Sequence, residues 1–263
     1  MEIPLYQVDA FARRQFGGNP AAVCPLTQWL PDQTLQSIAA ENNLAETAYF
    51  VREGKGVYRL RWFTPTVEVD LCGHATLAAA YVLWSYLRFK GDAVCFNSRS
   101  GPLMVTRSGT RIILDFPVVP ARRVAPPLTL IDGLGVQPLE VWGGMDFMVV
   151  LPSEEDVRTL QPAWEPLAQA GGRGVIVTAP GSGKVDFVSR FFAPAAGINE
   201  DPVTGSAHCM LTPYWAQRLG KKAMYARQLS ARGGELWLKL KGDRVLISGQ
   251  AQPYLKGAIT LAG

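Results

Sequence analysis

Apolar and β-branched residues alternate with polar ones along much of this chain. That period of two predicts strands over residues 57–63, 103–106, 111–116, 148–151, 174–178, 185–192, 235–240 and 244–248. Helical spacing is rarer. It predicts helices over 32–43, where Leu35, Ile38 and Ala39 share a face, and over 74–89. Further along it predicts 154–160 and 164–170, separated by Pro162, and then 206–219. Pro213 lies inside the last of these and predicts a kink or a later start. Many strands with few helices indicate an α+β class. The proline-rich stretch 117–128 reads as a linker, and the short run 258–261 as a strand returning to the first half.

The pattern also repeats. Phe63-Thr64-Pro65 leads past Glu68 into Cys72-Gly73-His74-Ala75. Phe192-Ala193-Pro194 leads past Glu200-Asp201 into Thr204-Gly205-Ser206-Ala207. Downstream, Ser98, Gly101, Leu103 and Val105 are echoed by Ser230, Gly233, Leu236 and Leu238. A period this long indicates duplicated domains, since solenoid units are shorter. The expected halves are 1–116, completed by a strand over 255–263, and 117–254.

The repeated turns carry the candidate chemistry. Gly73 and Gly205 each precede a helix, where several N–H groups lack intrahelical partners and attract anions. If the halves pack with pseudo-twofold symmetry, two helix N-termini converge on one cleft suited to a small carboxylate. His74 sits at such an end, where the dipole disfavours its cation and leaves a neutral proton donor. Asp201, before Pro202, reads either as a turn former or as a substrate or proton-relay group. Glu46, at a strand start, would by itself be an ordinary exposed carboxylate.

Composition narrows the field. The formal charge is +4, with basic residues scattered rather than gathered in a stripe, so no nucleic-acid surface is expected. No apolar run approaches the ~18 residues of a membrane span, and the N-terminal residues lack a secretory pattern. Four cysteines without a Cys-x-x-Cys pair, and two histidines, predict neither a disulfide framework nor a zinc site. A cytoplasmic protein is expected.

Gly18-Asn19-Pro20, Ala45-Glu46-Thr47, Cys72-Gly73-His74-Ala75-Thr76 and Glu200-Asp201-Pro202-Val203-Thr204-Gly205-Ser206-Ala207 together resemble the motifs of phenazine-biosynthesis isomerase-like proteins. The resemblance runs over nearly the whole chain. It implies a diaminopimelate-epimerase-like fold: two similar domains, each a mostly antiparallel sheet around a central helix, bracketing one site. It also implies proton transfer without a cofactor, and a homodimer. Glu46 falls on the family's general acid/base, with His74 and Asp201 beside it as catalytic partners. Asn19, Gly73, Thr76, Gly205 and Ser206 fall on substrate contacts. Two departures stand out. Ala45 replaces the family's usual serine. Cys72 stands where related racemases keep one of two catalytic cysteines, but its counterpart is Thr204, so a two-thiol racemase is incomplete. An epimerase using Cys72, or a non-catalytic binding protein on the same fold, are the alternatives.

Overall fold

The computed structural model describes residues 1–261. The elements run β1 (Glu2–Ala10), β2 (Asn19–Leu26), α1 (Asp32–Asn42), β3 (Glu46–Gly54), β4 (Val57–Phe63), β5 (Glu68–Val69), α2 (Gly73–Ser85), β6 (Ala93–Ser98), β7 (Gly101–Ser108) and β8 (Arg111–Pro117). They continue with β9 (Arg122–Arg123), α3 (Leu128–Leu134), β10 (Glu140–Gly143), β11 (Phe147–Val150), α4 (Glu154–Thr159), α5 (Trp164–Ala168), β12 (Val175–Pro180) and β13 (Phe187–Ala193). After a 3-10 turn at Pro194–Ala196 come β14 (Ile198–Asp201), α6 (Gly205–Leu219), β15 (Ala223–Gln228), β16 (Gly234–Lys241), β17 (Arg244–Gly249) and β18 (Ala251–Thr260).

Two compact units result: Met1–Phe116 together with the chain from Ile247 onward, and Pro117–Leu246. The return to the first unit thus begins before residue 255. β18 already starts at Ala251 and lies antiparallel on β1 from one end to the other, Ala10 against Ala251 and Glu2 against Thr260. Residues 262 and 263 of the expected strand lie outside the described residues.

The duplication is written in the strand joints. In the first unit, β1/β2 is antiparallel, β2/β3 parallel, β3/β4 antiparallel, β4/β6 parallel and β6/β7 antiparallel. In the second, β10/β11, β11/β12, β12/β13, β13/β15 and β15/β16 follow the same alternation. The fold is therefore α+β, each sheet enclosing one helix. α2 is built from small and apolar residues all round, and nine of its thirteen residues are buried. In α6, Trp215 stacks flat on Phe187 at 5.5 Å and donates its indole N–H to Thr178 at 3.0 Å.

A side-chain motif is doubled as well. Arg61 donates through Nε and Nη2 to both oxygens of Glu68, at 2.7 and 2.8 Å, and lies over Phe63. Arg190 does the same to Glu200, at 2.7 and 2.9 Å, and lies over Phe192. Each bidentate pair fixes the loop that leads into its central helix.

Three expectations are corrected. The helix from 74 ends at Ser85, because Arg88 turns to φ +55° and swings Phe89 edge-on against Tyr58. Pro213 does not delay α6, which runs unbroken from Gly205 to Leu219; the Cys209 carbonyl that loses its helical donor receives the Val119 N–H at 3.1 Å instead. That bond, and the β9 pairing with β10, make the proline-rich stretch an ordered part of the second unit rather than a loose linker. Among the described residues no helix is long and apolar enough to cross a membrane.

Candidate active site

In the first unit, the starts of two strands and one helix bring Asn19, Glu46, Cys72 and His74 together. Parallel pairing of β2 with β3 sets Ala21 opposite Glu46, which brings the Asn19 end of β2 beside Glu46. Gly18 turns the chain into β2 at φ +64°, where any Cβ would run into the Ala10 carbonyl oxygen. Gly73 opens α2 after Cys72, an extended residue whose side chain makes no cap. The first amides of the helix are therefore left uncapped by it.

His74 is buried, and its two nitrogens face different partners. Nδ1 lies 3.2 Å from Asn19 Nδ2 and 3.4 Å from Cys72 Sγ. The amide N–H and the thiol are donors there, so Nδ1 accepts and the neutral ring carries its proton on Nε2. Nε2 lies 3.2 Å from Glu46 Oε2, yet out of line for a hydrogen bond to it. Burial drives the His74 pKa down to about 3. Neutrality at this site follows from desolvation.

The Thr76 side chain is fully buried and donates at 2.5 Å to the Cys72 carbonyl, which shapes the helix entry. The thiol, imidazole and carboxylate donor atoms lie within 4.8 Å of one another. The ring nevertheless turns one nitrogen to Cys72 and the other to Glu46, so it separates these groups instead of joining them around one ion.

In the second unit, Asp201 ends β14 and Thr204 precedes α6. The Thr204 hydroxyl donates to Asp201 Oδ2 and does not cap the helix. Gln228 braces this turn: its Oε1 accepts the Thr204 N–H at 2.9 Å and its Nε2 donates to the Asp201 carbonyl at 2.8 Å. His208 Nδ1 meets the Thr204 carbonyl at 2.8 Å, one turn into the helix, as Thr76 meets that of Cys72. Gly205 is buried and Ser206 half-buried at the helix opening. Ser206 Oγ accepts from Arg173 Nη2 at 2.9 Å.

Arg173, Asp146 and Gln228 were not singled out by the sequence. The only signal for the first was a lone arginine among Gly171, Gly172 and Gly174. Gln228 gave none beyond being a polar residue at a position that the strand alternation buries.

The model of the family described as phenazine biosynthesis-like protein matches residues 8–257. An uncharacterized isomerase of Pseudomonas aeruginosa is 54% identical over 263 residues, the full length of both chains. The crystal structure of a PhzF-family phenazine biosynthesis protein from Enterococcus faecalis superposes with a TM-score of 0.96 at 48% identity, covering 99% of this chain and 100% of that one. A hydroxyproline epimerase from Agrobacterium vitis, at 10% identity and a TM-score of 0.62, covers 98% of this chain and 92% of its own and shares the fold.

Proposed function

The chain belongs to the phenazine biosynthesis-like family, and from that premise we propose that it is a cofactor-independent isomerase moving a proton within a small carboxylate metabolite. The observation that carries the reading is the contact of Glu46 with a neutral His74. A base and a proton donor stand side by side, and the Nε2 proton is not aligned on the carboxylate. The Nε2 proton of His74 is therefore available to a third party.

In this reading Glu46 takes a proton from an activated carbon, and the C–H electron pair moves into the adjacent conjugated system. The His74 Nε2–H steadies the charge that develops. Glu46 returns a proton to another carbon on the same face, so the double bond shifts and no atom is gained or lost. Asp201 carries or holds the second proton, and the turns at Gly73 and Gly205 receive the carboxylate. A cytoplasmic homodimer belongs to the same proposal.

The test is deuterium exchange. Unsaturated small carboxylates are incubated with the protein in D2O and followed by proton NMR. Glu46→Gln should slow exchange by about 100- to 10,000-fold, the usual contribution of a positioned acid–base group. Exchange at the native rate in that variant would overturn the mechanism. Light scattering checks the assembly, a mass near twice 28.7 kDa being expected.

A further inference from the structure

The second unit holds a cation whose arrangement exceeds what a structural strut requires. Arg173, on the loop before β12, donates through Nε and Nη2 to Asp146 Oδ1 and Oδ2 at 2.9 and 2.6 Å. The Asp146 side chain is 2% exposed, whereas 42% of Arg173 remains in contact with solvent. The Nη2 bond to Ser206 completes the attachment. Nη1, with two further N–H groups, has no hydrogen-bond acceptor among the described residues. Because Ser206 Oγ accepts from Arg173, its own hydroxyl proton is free to turn outward. The opening of α6 lies alongside, uncapped because Thr204 is turned to Asp201.

We propose that Arg173 is a carboxylate-binding residue, oriented by the buried Asp146 and assisted by the Ser206 hydroxyl. The inference rests on the reading above that the turn at Gly205 receives a carboxylate, and it names the cation that does so. Charge balance makes it specific. The bidentate pair cancels Asp146, so the ligand is held by directed N–H and O–H donors rather than by net charge. Asp201 also acts on Arg173 electrostatically. It is a like charge to the ligand, and its removal should tighten binding.

Sodium benzoate serves as the probe, titrated into the whole protein and followed by the amide signals of Ser206 and Ala207 and the Arg173 Nε–H signal. Benzamide, its neutral analogue, should leave them in place. Arg173→Met alone would strand a buried carboxylate, so the decisive variant is the double change Arg173→Gln with Asp146→Asn, which keeps a hydrogen bond between the two positions. It should lose at least tenfold in benzoate affinity, and Asp201→Asn should gain severalfold. Native affinity in the double variant, or an equal response to benzamide, would overturn the proposal. Benzoate has no activated C–H for a base to remove, so its titration reads binding without the acid–base step. Failure of the acid–base mechanism would therefore show in the exchange assay alone, and failure of this inference in the titration alone.

Discussion

The hydroxyl of Thr204 bonds the carboxylate of Asp201, not the helix that Thr204 precedes. Threonine is a favoured cap, and a hydroxyl turned inward would have satisfied an amide of Ser206 or Ala207. Its diversion leaves the helix entrance open and ties Asp201 to it. Thr204→Val should therefore lower the exchange rate about tenfold or more, the effect of losing a hydrogen bond to a charged group. Thr204→Ser should restore it, and circular dichroism should show both variants folded. A native rate in the valine variant would mean that this bond does not hold Asp201 in its working position.

Cys72 separates the isomerase from its thiol rival. Its Sγ contacts His74 Nδ1, the nitrogen turned away from Glu46. Asn19 still donates to Nδ1 when the thiol is gone. In the isomerase, Cys72→Ala should change the exchange rate by less than about threefold, under 1 kcal/mol in the barrier. An epimerase using Cys72 as a base would lose its activity. Chiral chromatography of candidate amino acids, run on both proteins, decides between them.

The paired arginines give a stability prediction. Arg190 is 9% exposed, and besides Glu200 it serves the carbonyls of Val157 and Leu160 at 3.2 and 2.7 Å. Arg190→Met would leave a partly buried carboxylate and two carbonyls without that donor. A loss of about 3–5 kcal/mol is expected in urea unfolding, the range for a broken buried pair. Removing both charges, by adding Glu200→Gln, should recover part of it.

Much of this was legible in the sequence, and the rest failed for identifiable reasons. The motif residues mark themselves because glycine, proline and acidic residues recur at matching places in both halves. The α+β class followed from the alternation, and the strand at 57–63 falls on its predicted residues. The strand at 2–10 was missed because Pro4 and Gln7 interrupt its alternation, and it is held by β18, a partner more than two hundred residues away. The ends of α2 and the continuity of α6 turn on single backbone bonds, those of Phe89 and Val119, made to carbonyls that no local pattern announces. Arg173 and Asp146 lie 27 residues apart in sequence, on the loops that precede the paired strands β12 and β11. Only the fold brings them to Ser206.

The two buried histidines set the last prediction. Burial holds the His74 pKa near 3 and that of His208 near 4, while in the unfolded chain both sit near the ordinary value of 6.5. Between those limits the unfolded chain binds protons that the folded one refuses. Stability should therefore be full above about pH 6.5 and fall as the pH drops toward the folded values, by about 1.4 kcal/mol per pH unit for each histidine that titrates only when unfolded. Urea midpoints at pH 7.5, 6.5 and 5.5 test this above most carboxylate titrations. His208→Thr places a hydroxyl where Thr76 has one, keeps a donor for the Thr204 carbonyl, and should roughly halve the slope between pH 6.5 and 5.5. Nitrogen NMR of the folded protein over the same range should show both rings neutral, with the His74 proton on Nε2. A ring that protonates near pH 6 in the folded state would remove its share of the slope and, for His74, the neutral donor on which the proposed chemistry depends.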